Sequence, residues 1–307
     1  MDWTLLVIQM LNGLQLGVLL FLLAAGLTLV FGIMDFINLA HGSLYMVGAY
    51  FCATIASVTG SFLLGVLAAL PLTFAVGLVL EMLVVRKLYA RDHLDHVLAT
   101  FGLILFFDAA TQLIWGPESL SIALPAFLDG RVTLAPGIEF PTYRLVIIMV
   151  GLAVAASLAY VVSATRIGAL IRAGAANRRM LGALGVDVNR LFTIVFAAGA
   201  TLAGLAGLMM APITEAHVGM GNSILIVALV VIIIGGIGSV RGAFIAALLV
   251  GMIDTMGRAF LDTAMKLVLS QQNAETAAPA LSAMLIYILM AVILAARPQG
   301  LFAPKGR

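Results

Sequence analysis

Nine apolar runs, most near the length that crosses a bilayer, divide this chain: roughly 5–33, 38–58, 62–85, 97–116, 143–164, 191–211, 223–237, 243–260 and 280–296. A helix needs about 20 apolar residues to cross the hydrocarbon. Lipid admits only helices and closed barrels as spanning structures. A barrel would show short segments of alternating hydrophobicity, whereas these runs are continuous. Of the 307 residues, 63% are hydrophobic and only 10% charged; about a quarter would be charged in a soluble domain. The chain therefore reads as one all-α polytopic transmembrane bundle, 1–307, of eight to ten segments with some of them broken.

Lys and Arg fall unevenly between the runs. Arg86, Lys87, Arg91, Arg166, Arg172, Arg178, Arg179, Arg190, Arg297, Lys305 and Arg307 fall on one face, and Arg131, Arg144, Arg258 and Lys266 on the other. Such a bias sets the richer face in the cytoplasm, which puts the C-terminus inside and, if all nine runs cross, the N-terminus outside. Only Asp2 is charged ahead of the first run. A cleaved signal would start basic, so the first segment is expected to remain. The net charge of +2 sums two membrane faces, and no long basic tail points to nucleic acid. Cys52 is the single cysteine, which excludes an intrachain disulfide and suits small apolar packing.

Two connections stand out. Residues 117–142 hold Pro117, Pro125, Pro136 and Pro141 among acids and read as an irregular external loop. Residues 165–190 are basic and alanine-rich, with Thr165 placed to cap a short helix and Gly185 to end one. This is the expected cytoplasmic helix–turn unit.

Polar residues interrupt the apolar pattern twice. Between Gly32 and Gly42 lie Asp35, Asn38 and His41. Irregular polar backbone at membrane depth survives only where protein buries it or where it lines a wet cavity, and ionisable groups there are usually functional. The segment is either part of a substrate pathway or a cytoplasmic turn between two complete spans. The second break, Gly235, Gly236, Gly238, Ser239, Arg241 and Gly242, is dense in glycine, which frees the backbone for turns and close approach. Arg241 would meet an anionic group there, or simply reach the interface. Paired breaks in two halves point to a transport site near the midplane and to a two-half internal repeat.

Asp108 and Gln112 share a helix face as further pathway candidates, with Asp108 either lining the pathway or bonding a neighbouring helix. Glu81 lies near Arg86 and Lys87, an interfacial ion pair. Asp254, Arg258, Asp262 and Lys266 alternate in sign at a spacing of four, the pattern of a solvated helix face. Gly13 with Gly17, Ala200 with Gly204, Ala203 with Gly207, and Ala247 with Gly251 have the spacing that lets helix backbones approach closely. No catalytic pattern occurs. There is no G-x-x-x-x-G-K-S/T loop and no nucleophile elbow. The four histidines, at 41, 93, 96 and 217, do not assemble a zinc ligand set. Energy for uphill transport must come from another chain or from an ion gradient.

In order and spacing, N-G-L-Q-L-G at 12–17, G-L-T-L-V-F-G at 26–32, I-N-L-A-H-G at 37–42, Y-M-V-G-A-Y at 45–50, R-I-G-A-L-I-R-A at 166–173, L-G-A-L-G-V at 181–186, A-G-L-A-G at 203–207, G-G-I-G-S-V-R-G-A at 235–243 and R-P-Q-G-L-F at 297–302 resemble the permease subunits of branched-chain amino acid ABC importers. The likeness is to the shorter of the two paired permeases and covers nearly the whole chain. It implies a bacterial inner-membrane importer with a second, different permease, two ATP-binding subunits and a periplasmic solute-binding protein. ATP and magnesium would belong to those partner subunits, with no cofactor, metal or catalytic residue in this chain. It also implies that the 165–190 loop couples to the ATPases through Arg172, Ala175, Ala176, Asn177, Arg178, Arg179, Leu184 and Gly185. The cargo implied is a branched-chain or related amino acid, with urea, short amides or aromatic acids as alternatives within the family. A gradient-driven transporter and a passive channel are the alternatives outside it.

Overall fold

The computed structural model describes residues 3–302; Asp2, Lys305 and Arg307 lie outside the described residues. Eight helices are long and apolar enough to cross a membrane. They are α1 (Trp3–Met34), α2 (His41–Thr59), α3 (Phe62–Leu88), α4 (His93–Trp115), α5 (Thr142–Ala164), α8 (Val188–Thr214), α10 (Val240–Met265) and α11 (Gln271–Ala296). A ninth, α9 (Met220–Gly235), is shorter. Two small helices, α6 (Arg166–Ala176) and α7 (Arg178–Ala183), fill the basic connection between α5 and α8. The result is the helical transmembrane bundle expected from the apolar runs.

α1 is apolar on every side, so it has no face to offer water, and most of it is buried. It packs on α8, α9 and α10 and also meets α5. α2 packs on α3 and α8. Small residues hold these contacts close: Gly17 meets the backbone of Ala247 and Leu248, and Gly48 meets that of Gly204. Such approach replaces the hydrophobic drive that lipid cannot supply.

The two ends of the bundle differ. At one end stand Asn12 of α1 and Arg144 of α5, joined by a 2.6 Å hydrogen bond. At the other, α6 and α7 pack near the end of α1. We call these the hairpin end and the arginine end. The hairpin end carries an unexpected element: residues 117–142 are not wholly irregular. β1 (Arg131–Ala135) and β2 (Ile138–Pro141) pair antiparallel. Gly137 at φ +82° follows Pro136, the arrangement that suits a tight turn. Leu120 also bridges to Ala216.

Side chains cap both helices of the basic connection. Thr165 accepts from the Gly168 N–H and Asn177 from that of Met180, and Gly185 at φ +84° follows α7; both the cap and the stop match the sequence expectation. α10 continues to Met265, so Arg258 pairs with Asp254 at 2.9 Å, and Lys266 just beyond it pairs with Asp262 at 2.8 Å.

Candidate translocation site

The link between α1 and α2 begins at the arginine end and finishes inside the bundle. Asp35 is exposed and sits at φ +54°, in the left-handed region that few residues other than glycine adopt. Phe36 turns inward against His96 and Tyr89, at ring-centroid distances of 4.6 and 6.3 Å. By His41 the chain has climbed well into the bundle, since its Nε2 lies 3.2 Å from the carbonyl oxygen of Leu23. Leu23 precedes the end of α1 by eleven residues, about 16 Å of helix. The segment is thus neither a plain turn at the surface nor wholly interior.

α9 also starts inside. After α8 ends at Thr214, residues 215–219 lead back into the bundle, and the Gly219 N–H lies 3.3 Å from Met46 Sδ. There Gly221 and Gly42 meet through their backbones. α2 runs from this point to the hairpin end and α9 to the arginine end. Two helix N-termini, each with partial positive charge, therefore meet in the interior. Ala40 and Gly219 give them no side-chain cap, and neither first turn holds an acid. Asp108 of α4 meets the first turn of α9, its Oδ2 accepting from Asn222 Nδ2 at 3.0 Å.

Around the start of α2 lies a set of buried polar groups. Asn38 and Ser43 are each 1% exposed, yet the amide of Asn38 and the hydroxyl of Ser43 have no hydrogen-bond partner among the described residues. The same holds for His41 Nδ1 and for the Thr28 hydroxyl. Buried polar atoms are nearly always satisfied, so these groups make the region a candidate for contact with a polar solute or water.

The remaining pathway candidates lie elsewhere. Gln112 is exposed. Gly235, Gly236, Gly238, Ser239 and Arg241 form a tight turn at the arginine end rather than an interior break. Gly236 and Gly238 have φ +96° and +84°, and Ser239 caps α10 through the Gly242 N–H at 3.1 Å. The carbonyls of Ile234 and Gly235, left open at the end of α9, accept from the N–H groups of Leu301 and Phe302 at 2.8 and 3.1 Å. The two breaks paired in the sequence are therefore not equivalent in space. The interior counterpart of the 35–42 segment is the start of α9, signalled only by the shortness of the 223–237 run. Nothing local in the sequence distinguishes Gly221 and Asn222 there.

A polar cavity of about 490 Å³ joins Asp35 to the basic connection. Ala175, Ala176, Asn177, Arg178 and Arg179 form one wall and Arg91, Asp92 and His93 the other. Leu184 and Gly185 lie beyond it, exposed. Arg172 donates to the Val162 carbonyl at the end of α5. Above the cavity, α3 contains a π-helical turn, Glu81–Val85, which places the fully buried Glu81 against α8. Its carboxylate accepts from Arg86 at 3.0 Å, Tyr89 at 2.8 Å and Thr193 at 2.7 Å. Burial first, and then the charge of Glu81, raise the Tyr89 hydroxyl above its ordinary pKa, keeping it a donor. The sequence suggested an interfacial pair here but not its burial or its link to Thr193.

No cluster among the described residues would hold a metal. The eight candidate spans, the interior helix starts and the basic helical connection at one end define a polytopic helical membrane protein. The sequence model described as "Branched-chain amino acid transport system / permease component" matches residues 9–294, and the chain belongs to that family. It is 29% identical over 278 residues to the high-affinity branched-chain amino acid transport system permease protein LivH of Salmonella typhimurium, covering 85% of this chain and 89% of that one. The corresponding protein BraD of Pseudomonas aeruginosa is 29% identical, with coverage of 81% and 85%. The ribose import permease protein RbsC of Escherichia coli is 27% identical, with coverage of 76% and 72%. No solved structure matches the chain.

Proposed function

We propose that this chain is one of two permease subunits in an ATP-driven importer of branched-chain or related amino acids. The observation that carries the reading is the family match over residues 9–294, with relatives named for branched-chain amino acid transport aligning along most of their length. In this reading the arginine end faces the cytoplasm of a bacterial inner membrane, with the C-terminus inside. Of two ATP-binding subunits that hydrolyse Mg-ATP, one docks on α6 and α7 of this chain, and a periplasmic solute-binding protein delivers cargo to the hairpin end. Nucleotide-driven closure moves the basic connection, and α8, which follows it directly, carries the movement to the interior helix starts. Access alternates between the two ends, and this chain performs no covalent chemistry. The pathway runs past Asn38, His41 and Gly42 and the first turn of α9.

The test is uptake of radiolabelled leucine by the full complex in proteoliposomes, alongside ribose and urea. Replacing Arg172, Asn177 and Arg179 together should leave assembly intact and ATP hydrolysis running while leucine uptake falls at least tenfold. Normal coupled uptake by that variant would remove the coupling assignment. Uptake of ribose or urea in place of leucine would remove the cargo assignment.

A further inference from the structure

A groove of about 760 Å³ opens between α5 and α10. Phe21 of α1 lines it, Leu152, Ala156 and Ala159 line one side, and Phe244 lines the other. Phe244 is held there by an edge-on contact with Phe21, with ring centroids 5.1 Å apart. Arg172 and Arg241 also line the groove, at its arginine end, and among the described residues no carboxylate does. Arg172 is oriented by its bond to the Val162 carbonyl. Arg241 is exposed and has no hydrogen-bond or ion-pair partner among the described residues.

Length and chemistry both select an occupant. From Leu152 to Ser163 the α5 wall runs eleven residues, about 16 Å, close to half of the ~30 Å hydrocarbon core of a bilayer. The groove thus spans one leaflet, apolar along its length and cationic at the level of the headgroups. A cargo amino acid has no chain to fill it, and a second apolar helix would leave two guanidinia without an anion. Arginine matches phosphate with paired hydrogen bonds, and basic pockets between membrane helices suit anionic headgroups. We propose that this groove binds one anionic phospholipid, with an acyl chain along Ala156 and Ala159 and the phosphate between Arg172 and Arg241.

The test is native mass spectrometry of the full chain in mild detergent, titrated with phosphatidylglycerol or with phosphatidylcholine of the same acyl chains. The wild-type chain should retain one phosphatidylglycerol at least tenfold more tightly than phosphatidylcholine. Arg172→Gln with Arg241→Gln should abolish that preference. Ala156→Trp, at an exposed position, should block the groove and weaken both lipids while the thermal midpoint stays near wild type. Equal retention of the two lipids by the wild-type chain would overturn the proposal. So would undiminished binding by the variants, or a disulfide crosslink from Ala156→Cys to the second permease in the assembled complex.

Discussion

Gly42 at the start of α2 and Gly221 at the start of α9 lie backbone against backbone. A methyl group on Gly221 would come to 3.1 Å from Gly42 Cα, and one on Gly42 to 2.9 Å from the Gly221 carbonyl carbon. Close approach, rather than unusual dihedrals, demands glycine at both positions. Gly42→Ala and Gly221→Ala should each destabilise the bundle by about 1–3 kcal/mol, the usual cost of overpacking. Because both substitutions spread the same contact, the double variant should cost less than the sum of the two. Thermal unfolding of purified protein measures all three. Unchanged midpoints in both single variants would mean that the two helix starts do not touch.

The carboxylate of Glu81 presents a different balance. It is fully buried, whereas Arg86 is partly exposed. Removing only the cation strands a charge with two hydroxyl donors, Tyr89 and Thr193. Arg86→Met should therefore lower the unfolding midpoint, because it leaves the buried carboxylate without its cation. Glu81→Leu combined with Arg86→Met removes the stranded charge and should cost less than Arg86→Met alone. The comparison is again one of unfolding midpoints, and a double variant less stable than the single would show that the pair is net stabilising.

The features legible in the sequence were those that repeat or cap. Runs of apolar residues marked the helices because lipid requires them, and Thr165 and Gly185 marked the basic connection because their local chemistry is self-contained. The 35–42 segment was recognised from Asn38 and His41, but its slope from surface to interior depends on α1, which it passes over sixteen or so ångströms of depth, and no local signal encodes that. The Gly236–Gly238 turn has the sequence of a broken helix because glycine serves a reverse turn and a broken helix alike. The partnership of Asp108 with Asn222 spans 114 positions and has no local signature.

The basic connection offers apolar side chains as well as charge. Met180 is 61% exposed and Leu184 76%, on a segment at the end of the bundle where an ATPase is proposed to dock. Buried apolar anchors carry most of the energy of such contacts. Met180→Glu and Leu184→Glu should leave folding within about 0.5 kcal/mol of wild type, as expected of surface changes. In the same variants, the ATP-binding subunits should no longer co-purify with the permease. Full recovery of the complex with both substitutions present would assign the docking surface to another part of the arginine end.

Asn38 separates stability from function most directly. Its amide is buried with neither polar atom bonded among the described residues, and such a group costs about 1–3 kcal/mol. Leucine has nearly the same shape and no desolvation penalty, so Asn38→Leu should be neutral or raise the unfolding midpoint. If the amide lines the cargo pathway, the same substitution should cut leucine uptake at least tenfold with the complex intact. His41→Ala makes the contrasting control. It removes the bond to the Leu23 carbonyl and opens a void beside Gly26, so it should lower stability and uptake together. A variant Asn38→Leu that is more stable and still transports at the wild-type rate would place the pathway elsewhere, and would leave the unpartnered amide of Asn38 as a structural cost without a transport role.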